Sequence, residues 1–546
     1  MAERSVRALD PMPFAVALVA LLIGLMAASF FAHLPDDRLI IARYAEQFRS
    51  TGQLVFNRGE NTLLMAAPLP MLAQALIGAD ALFALSMALG AACLYYLAAS
   101  AALTNASRLL VAGIFALAYP LWVGAGTGYP PMTGLALLGL LLAQQGRWRW
   151  AGLAFAAAAL CGTEVLVLIA LMALYAAQQG KAWRFMLAFA AVCGAAFMAL
   201  WLHYGFDVRF VEGLLTFRRS APPAEDVLSL PFIALLLLAA LPMWWQARHE
   251  QFIALLGAWI ALYIGIWGGI FRLEGGFTYA LIVPAAALLA GRLFQRAPIV
   301  SVLGVGVAVG TSVVGLSVMM APRALPPLFP VPEGTQRVAV PFKDLLFYQR
   351  WRLDQQLIAL DGSLQPELRR MLERGDLHSA LVRYAPDMLY LAHAEDDWRY
   401  TDAFTTLGYT PYQSERFFQR ELPITGFTGR FFIMDQPFSP DLALRQAELT
   451  TELGTGGDLL RVRLRWEVQR PASRPITVQL RLGQAEQRTA FAANVFGAGT
   501  FDTYHALRLP PDMPDGAVAL RVRAIVNGGT LAEVEAARLT VRAMRD

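Results

Sequence analysis

Two adjacent carboxylates, Asp36 and Asp37, follow a long apolar run and open a mixed stretch, RLIIARYAEQFRSTGQLVFNRGE. A carboxylate is a weak base in water. It becomes effective when desolvated and within hydrogen-bond reach of the proton it takes, and the lip of a membrane span is a place where both can happen. The plainer role is structural: Pro35-Asp36 is a good helix start, and an Asp there accepts orphan backbone N–H bonds. Glu164 is a second candidate, because an ionisable residue between two short apolar helices is costly to bury. It either binds a polar ligand or pairs with an arginine to hold the bundle. Arg218, Arg219 and Arg272 complete the set, since guanidinium recognises phosphate and carboxylate bidentately. Arginines at a membrane lip also pair with lipid phosphates or snorkel from helix ends.

The elements that must position these residues are read from hydropathy. The chain has 546 residues, 57% hydrophobic and 16% charged, too apolar for a soluble protein of this length. The apolar blocks stop near residue 322, so we expect a membrane domain over 1–322, an α/β region over 323–437 and a β-sandwich over 438–546. Candidate spans are 13–33, 80–102, 108–123, 132–145, 149–162, 164–178, 183–203, 229–246, 251–270, 276–291 and 298–320. The first block is longer than a signal-peptide core of roughly 7–15 residues and ends without an A-x-A pattern, so it reads as an uncleaved span.

Charge orients the spans. The N-terminus, GRWRW (146–150), GKAWR (180–184), QARHE (246–250) and GRLFQR (291–296) carry the clustered Arg and Lys, which the positive-inside rule places in the cytoplasm. Having both GRWRW and GKAWR inside requires two crossings between them, so 149–178 reads as two short helices meeting near Gly162 and Thr163. About eleven spans result, with everything after residue 320 outside. Loops 34–79, 124–131, 205–228 and 271–275 then share the outer face with Glu164.

The net charge of +4 is spread over loops and strands, which argues against nucleic acid as a partner. Cys93, Cys161 and Cys193 lie in apolar blocks as small core residues. No His/Asp/Glu set has metal-ligand spacing and His33 reads as interfacial, so no cofactor is expected and a divalent metal has no support.

Within 36–50, Ile40, Ile41, Tyr44, Ala45 and Phe48 share a face at helical spacing, with Glu46, Gln47, Arg49 and Ser50 largely opposite. This predicts a short helix in the membrane interface, ended by Gly52 and followed by an extended LVFN. The stretch resembles the first outer loop of bacterial GT-C glycosyltransferases, which use polyprenyl-phosphate sugars and include relatives of mycobacterial arabinofuranosyltransferases. Asp36, Asp37, Arg43, Tyr44, Ala45, 54–57, Gly59 and Glu60 carry the likeness. More distantly, the arrangement is similar to protein mannosyltransferases and lipid A aminoarabinose transferases. ALVRYAPDMLYL with LGYTPY, and the later strand-rich segments, resemble the outer α/β region and C-terminal β-sandwich of the bacterial proteins.

The resemblance implies a multi-pass bacterial inner-membrane enzyme with a periplasmic or extracellular C-terminal domain. It implies an inverting transfer from a polyprenyl-phosphate donor to a glycan, lipid or protein acceptor. Asp36 would be the base and Asp37 would orient it or the acceptor. Arg43, Tyr44, Glu60, Glu164, Arg218, Arg219 and Arg272 would surround the substrate. Some family motifs are replaced: Arg-Pro-Glu by Gly162-Thr163-Glu164, Gly-Gly-Asp by Gly268-Gly269-Ile270, and Glu-Gly-Tyr by an Asn61-Thr62-Leu63 sequel to Glu60. These replacements favour the alternative, a non-catalytic GT-C-like scaffold subunit of a larger membrane assembly.

In the C-terminal part RVRLRWEV alternates strictly, with Val462, Leu464, Trp466 and Val468 on one face and Arg461, Arg463, Arg465 and Glu467 on the other. ITVQLRL and VALRVRAI repeat the pattern, which predicts short antiparallel strands in a sandwich serving acceptor binding or docking.

Overall fold

The computed structural model describes residues 11–31, 36–57, 67–204, 229–270, 276–296, 306, 310–311, 313–314, 334–340, 355–360, 365–373, 377–391, 406–412, 414–420, 431–491, 493 and 496–543. It divides into two units, Met1–Pro327 and Leu328–Asp546.

The first unit is helical. Its chain order begins α1 (Met12–Phe31), α2 (Asp36–Thr51), α3 (Pro68–Ile77), α4 (Ala79–Ser100), α5 (Asn105–Ala116), α6 (Tyr119–Val123), α7 (Tyr129–Gln144), α8 (Trp148–Ala159), α9 (Leu166–Gln178) and α10 (Ala182–Tyr204). Three further helices are Ser229–Ala247, Gln251–Tyr263 and Val283–Arg296. Among the described residues six helical segments are long and apolar enough to cross a membrane. They are Met12–Ser29, Ala79–Ser100, Asn105–Val123, Ala182–Tyr204, Ser229–Ala247 and Thr278–Arg296. The protein is a multi-pass membrane protein. Others are short for a core that needs about 20 residues: α7 has 16 and α8 has 12. The chain breaks between α8 and α9 in a 3-10 turn at Thr163–Val165. Most of the expected span 298–320 lies outside the described residues.

In lipid no hydrophobic force draws one apolar helix to another, so close packing by small residues holds such bundles together. Gly24 of α1 shows this: a Cβ there would stand 2.9 Å from the Ala84 Cα of α4. The core also takes Trp122, Phe83, Phe115, Phe155 and Trp259, all buried.

The second unit has an α/β layer and a sandwich. In the layer, β1 (Arg337–Val340) runs parallel to β2 (Gln356–Ala359) and β3 (Met388–Tyr390), and β5 (Ser414–Arg420) pairs antiparallel with β3 and β4 (Tyr409–Tyr412). The helices Pro366–Glu373 and Leu377–Tyr384 add Leu368, Ala380 and Leu381 to its core.

The sandwich strands are β6 (Phe431–Ser439), β7 (Leu442–Leu449), β8 (Leu453–Thr455), β9 (Leu459–Val468), β10 (Ile476–Leu482), β11 (Ala485–Phe491), β12 (Gly499–Arg508), β13 (Gly516–Val526) and β14 (Gly529–Arg542). They form two sheets, ordered β12-β9-β7-β6 and β11-β10-β13-β14-β8. Val462, Leu464, Trp466 and Val468 are buried between them, as the alternation predicts. Trp466 donates its indole hydrogen to Thr503 Oγ1 at 2.9 Å.

Arg463 and Arg465 reach Glu448 and Asp502 across the polar face. Arg461 departs from the alternation, being fully buried on that same face. The α/β layer covers this end of the sheet: Gly408 lies against Leu459 and Ala506, and His378 Nε2 stands 2.9 Å from Tyr504 O. Burial, then the charge of Arg420, pulls the Arg461 guanidinium down to about 10. Alternation records two faces but not a second layer laid over one of them.

Candidate functional site

The first-loop helix α2 starts at Asp36 and is buried on more than its apolar side. Ile40, Ile41, Tyr44 and Ala45 are buried as their spacing predicts. Arg38, Arg43 and Gln47 are buried as well, although Gln47 was expected on the polar face. Neighbouring backbone supplies hydrogen-bond acceptors for the arginines, so a buried polar side chain here need not be orphaned.

Each arginine of α2 clasps a different piece of chain. Arg43 donates from Nε to Phe56 O at 2.9 Å and from Nη2 to Asn57 Oδ1 at 3.1 Å. Its guanidinium carbon lies 5.0 Å from the centre of the Phe56 ring, which also meets Tyr44 at 5.9 Å. This folds the LVFN segment back along the helix, with Leu54, Val55 and Phe56 buried. The Tyr204 hydroxyl at the end of α10 donates to Leu54 O and holds the segment from the other side. Arg49 donates to Ala75 O and Gln74 O, both at 2.6 Å, taking carbonyls in the last turn of α3. A cation is well placed there because those carbonyls form the negative end of the helix.

Arg38 points elsewhere. Its guanidinium donates to Ala125 O at 3.2 Å and to Asp80 Oδ1 at 3.3 Å. Burial pulls the guanidinium below its usual pKa, and the Asp80 carboxylate pulls it back.

The receiving turn, Gly124 to Tyr129, connects the first loop to Glu164. Thr127 closes the turn, its hydroxyl donating to Gly124 O at 2.6 Å. Gly128 brings it against the α8 end so tightly that a Cβ would stand 2.1 Å from Cys161 O. Immediately after, the Tyr129 hydroxyl donates to Glu164 Oε1 at 2.9 Å. Glu164 is 9% exposed, in the 3-10 turn between α8 and α9. Gly162 leaves room for it, since a Cβ there would come within 2.7 Å of Glu164 Oε2.

Of the sequence candidates, the fold thus joins the α2 residues to Glu164 through one short turn. Arg43 and Tyr44 are buried beneath the LVFN segment. Asp36 and Asp37 occupy the first two positions of α2. Glu60, Arg218, Arg219 and Arg272 lie outside the described residues. Among the described residues no three His, Cys, Asp or Glu side chains stand together as a metal site requires.

The sequence reading missed Arg38, Gly126 and Tyr129. A signal was available: GAGTGYPP places glycines at 124, 126 and 128, a spacing that suits tight turns and close backbone approach.

No protein-family model matches the chain, and none of the curated proteins matches it. Among solved structures it is similar to that of ArnT from Cupriavidus metallidurans in the apo state. The two share 17% sequence identity over 74% of this chain and 96% of that one, with a TM-score of 0.48.

Proposed function

We propose that this protein is an integral-membrane inverting glycosyltransferase that moves a sugar from a polyprenyl phosphate to an acceptor outside the cytoplasm. The observation that supports this reading is the build of the first loop. The stretch carrying the family resemblance is a packed device of helix, clasping arginines and returning segment, tied through one turn to a buried carboxylate.

In this reading Asp36 accepts the proton of the acceptor hydroxyl while that oxygen attacks the anomeric carbon. The bond from that carbon to the phosphate oxygen breaks, the electron pair leaves with the polyprenyl phosphate, and the configuration inverts. Asp37 orients the base or the acceptor. The leaving phosphate needs fixed positive charge, which Arg218, Arg219 or Arg272 supplies from the outer loops. Glu60 and Glu164 hold sugar hydroxyls. The outer face is periplasmic or extracellular, and the sandwich docks the acceptor.

The test is donor cleavage by the purified protein in liposomes containing a polyprenyl-phosphate sugar and candidate acceptors. Asp36→Asn keeps shape and capping capacity but loses the basic oxygen, so transfer falls roughly 10²–10⁴-fold with the protein still folded. A capping role predicts instead that Asn is tolerated, while Asp36→Ala lowers stability by about 0.5–2 kcal/mol. The same pair at Asp37 identifies the other carboxylate as base if Asp36 proves silent. Parent-rate transfer by all four variants rejects the mechanism. A parent that cleaves no donor and purifies with a stoichiometric membrane partner favours the scaffold reading.

A further inference from the structure

Arg38 lies two residues beyond the start of α2 and is buried, yet its carboxylate partner Asp80 is not: their side chains are 11% and 59% exposed. An ion pair with one member in water contributes little by itself. What makes the seat specific is the shape beneath it. Gly126 has φ +82°, a left-handed conformation that disfavours any Cβ. A Cβ there would also come within 2.6 Å of Arg38 Cγ, 2.7 Å of Cδ and 2.8 Å of Nε. The stem of Arg38 therefore occupies the space that a side chain at 126 would need.

The same turn is reached from the other end of α2. Gln74 donates from Nε2 to Gly126 O at 2.7 Å, and Gln74 O accepts from Arg49 at 2.6 Å. Arg38, the turn, Gln74 and Arg49 close a ring. Arg38 and Arg49, eleven positions apart on the helix and so roughly 16 Å at the usual rise, are thereby held at two points against one support. Two points fix both the tilt of a helix and its rotation about its own axis. With residue 38 fixed, positions 36 and 37 follow, because neighbouring residues on a helix are related by a set rotation.

We infer that Arg38, seated on Gly126, is a positioning residue that sets the pose of the Asp36–Asp37 pair for transfer. The inference rests on the glycosyltransferase reading. The ring makes the first turn of α2 rigid, and a misplacement of about 1 Å at a reacting group costs roughly 10²-fold in rate.

Two measurements on the full-length protein in detergent or nanodiscs test it. The first is amide hydrogen exchange in the parent, Arg38→Met, Arg38→Lys and Gly126→Ala. Exchange of the peptide over residues 36–44 rises about tenfold in Arg38→Met and Gly126→Ala, rises less in Arg38→Lys, and stays at the parent level over α4. The second is transfer kinetics. The turnover number falls on the order of 10²-fold with the donor KM unmoved, Lys recovers part of it, and Arg38→Met/Gly126→Ala is no worse than either single variant.

Unchanged exchange over residues 36–44 overturns the inference whatever the activity. So does raised exchange with parent turnover, or a fall in turnover matched by loss of folded protein. A parent that transfers no sugar while the exchange pattern holds overturns the transferase reading, and with it the catalytic purpose of the seat.

Discussion

Tyr129 and Glu164, 35 residues apart in sequence, meet through a 2.9 Å hydrogen bond from phenol to carboxylate. The bond joins the start of α7 to the break between α8 and α9, where a carboxylate would otherwise be left in apolar surroundings. Such a group needs its partner more than the partner needs it.

Tyr129→Phe removes that donor and keeps the ring. Stability should fall by about 1–3 kcal/mol, the cost of stripping a hydrogen bond from a buried polar group. Glu164→Gln retains an acceptor for the phenol and should lose less. Thermal or denaturant unfolding in detergent measures both, and a Tyr129→Phe midpoint equal to that of the parent rejects the account.

Arg43 serves two acceptors at once, Phe56 O and Asn57 Oδ1, from a planar fork. Lysine keeps the charge but offers a point donor on a flexible stem. Arg43→Lys should therefore loosen the LVFN segment and lower stability by roughly 1.5–3 kcal/mol, the scale of hydrogen bonds to charged groups. Hydrogen exchange over residues 52–57 is the direct readout, and parent-level protection there counts against the clasp.

The arginine-bearing connections predict topology. A reporter active only outside the cytoplasm should work after residue 330 and fail when inserted at 146–150. The reverse pattern removes the outer-face argument on which the proposed reaction depends.

His505 should make the second unit sensitive to acid. It is fully buried, bonded through Nε2 to Thr503 Oγ1 at 2.9 Å, with the His378 ring 6.4 Å away. Burial, then the charge of His378, holds its pKa well below the usual imidazole value. The unfolded chain therefore binds this proton at higher pH than the folded one. The stability contributed is complete above about pH 6.5 and is lost as pH falls through the folded pKa. The unfolding midpoint of this unit should drop on acidification below about pH 6.5, and His505→Gln should flatten that slope. An unaltered slope assigns the acid sensitivity to other groups.

The membrane character of the helical unit and the alternating strands of the sandwich were legible in the sequence because each rests on a local property. A run of apolar residues can satisfy its backbone in lipid as a helix, and period-two alternation matches a sheet with one face buried. The break at Gly162 and Thr163 followed from charge counting, and the fold has a short 3-10 turn at Thr163–Val165. The acidic pair stood out as adjacent carboxylates after an apolar run and Glu164 as an ionisable residue between two short apolar segments, while Arg43 entered through the family resemblance alone.

Tertiary structure decided what those residues touch. Hydrophobic spacing placed Gln47 on a wet face, yet it is buried, because α2 is covered on more than one side. Arg461 alternates outward and is nonetheless enclosed, because the α/β layer lies over its sheet. The support for α2 comes from residues 25 and 87 positions away, Gln74 beneath Arg49 and Ala125 beneath Arg38. A periodic pattern reports how one segment divides its own faces. Which other segment then covers a face is set by contacts between distant parts of the chain, and no single stretch of sequence contains that information.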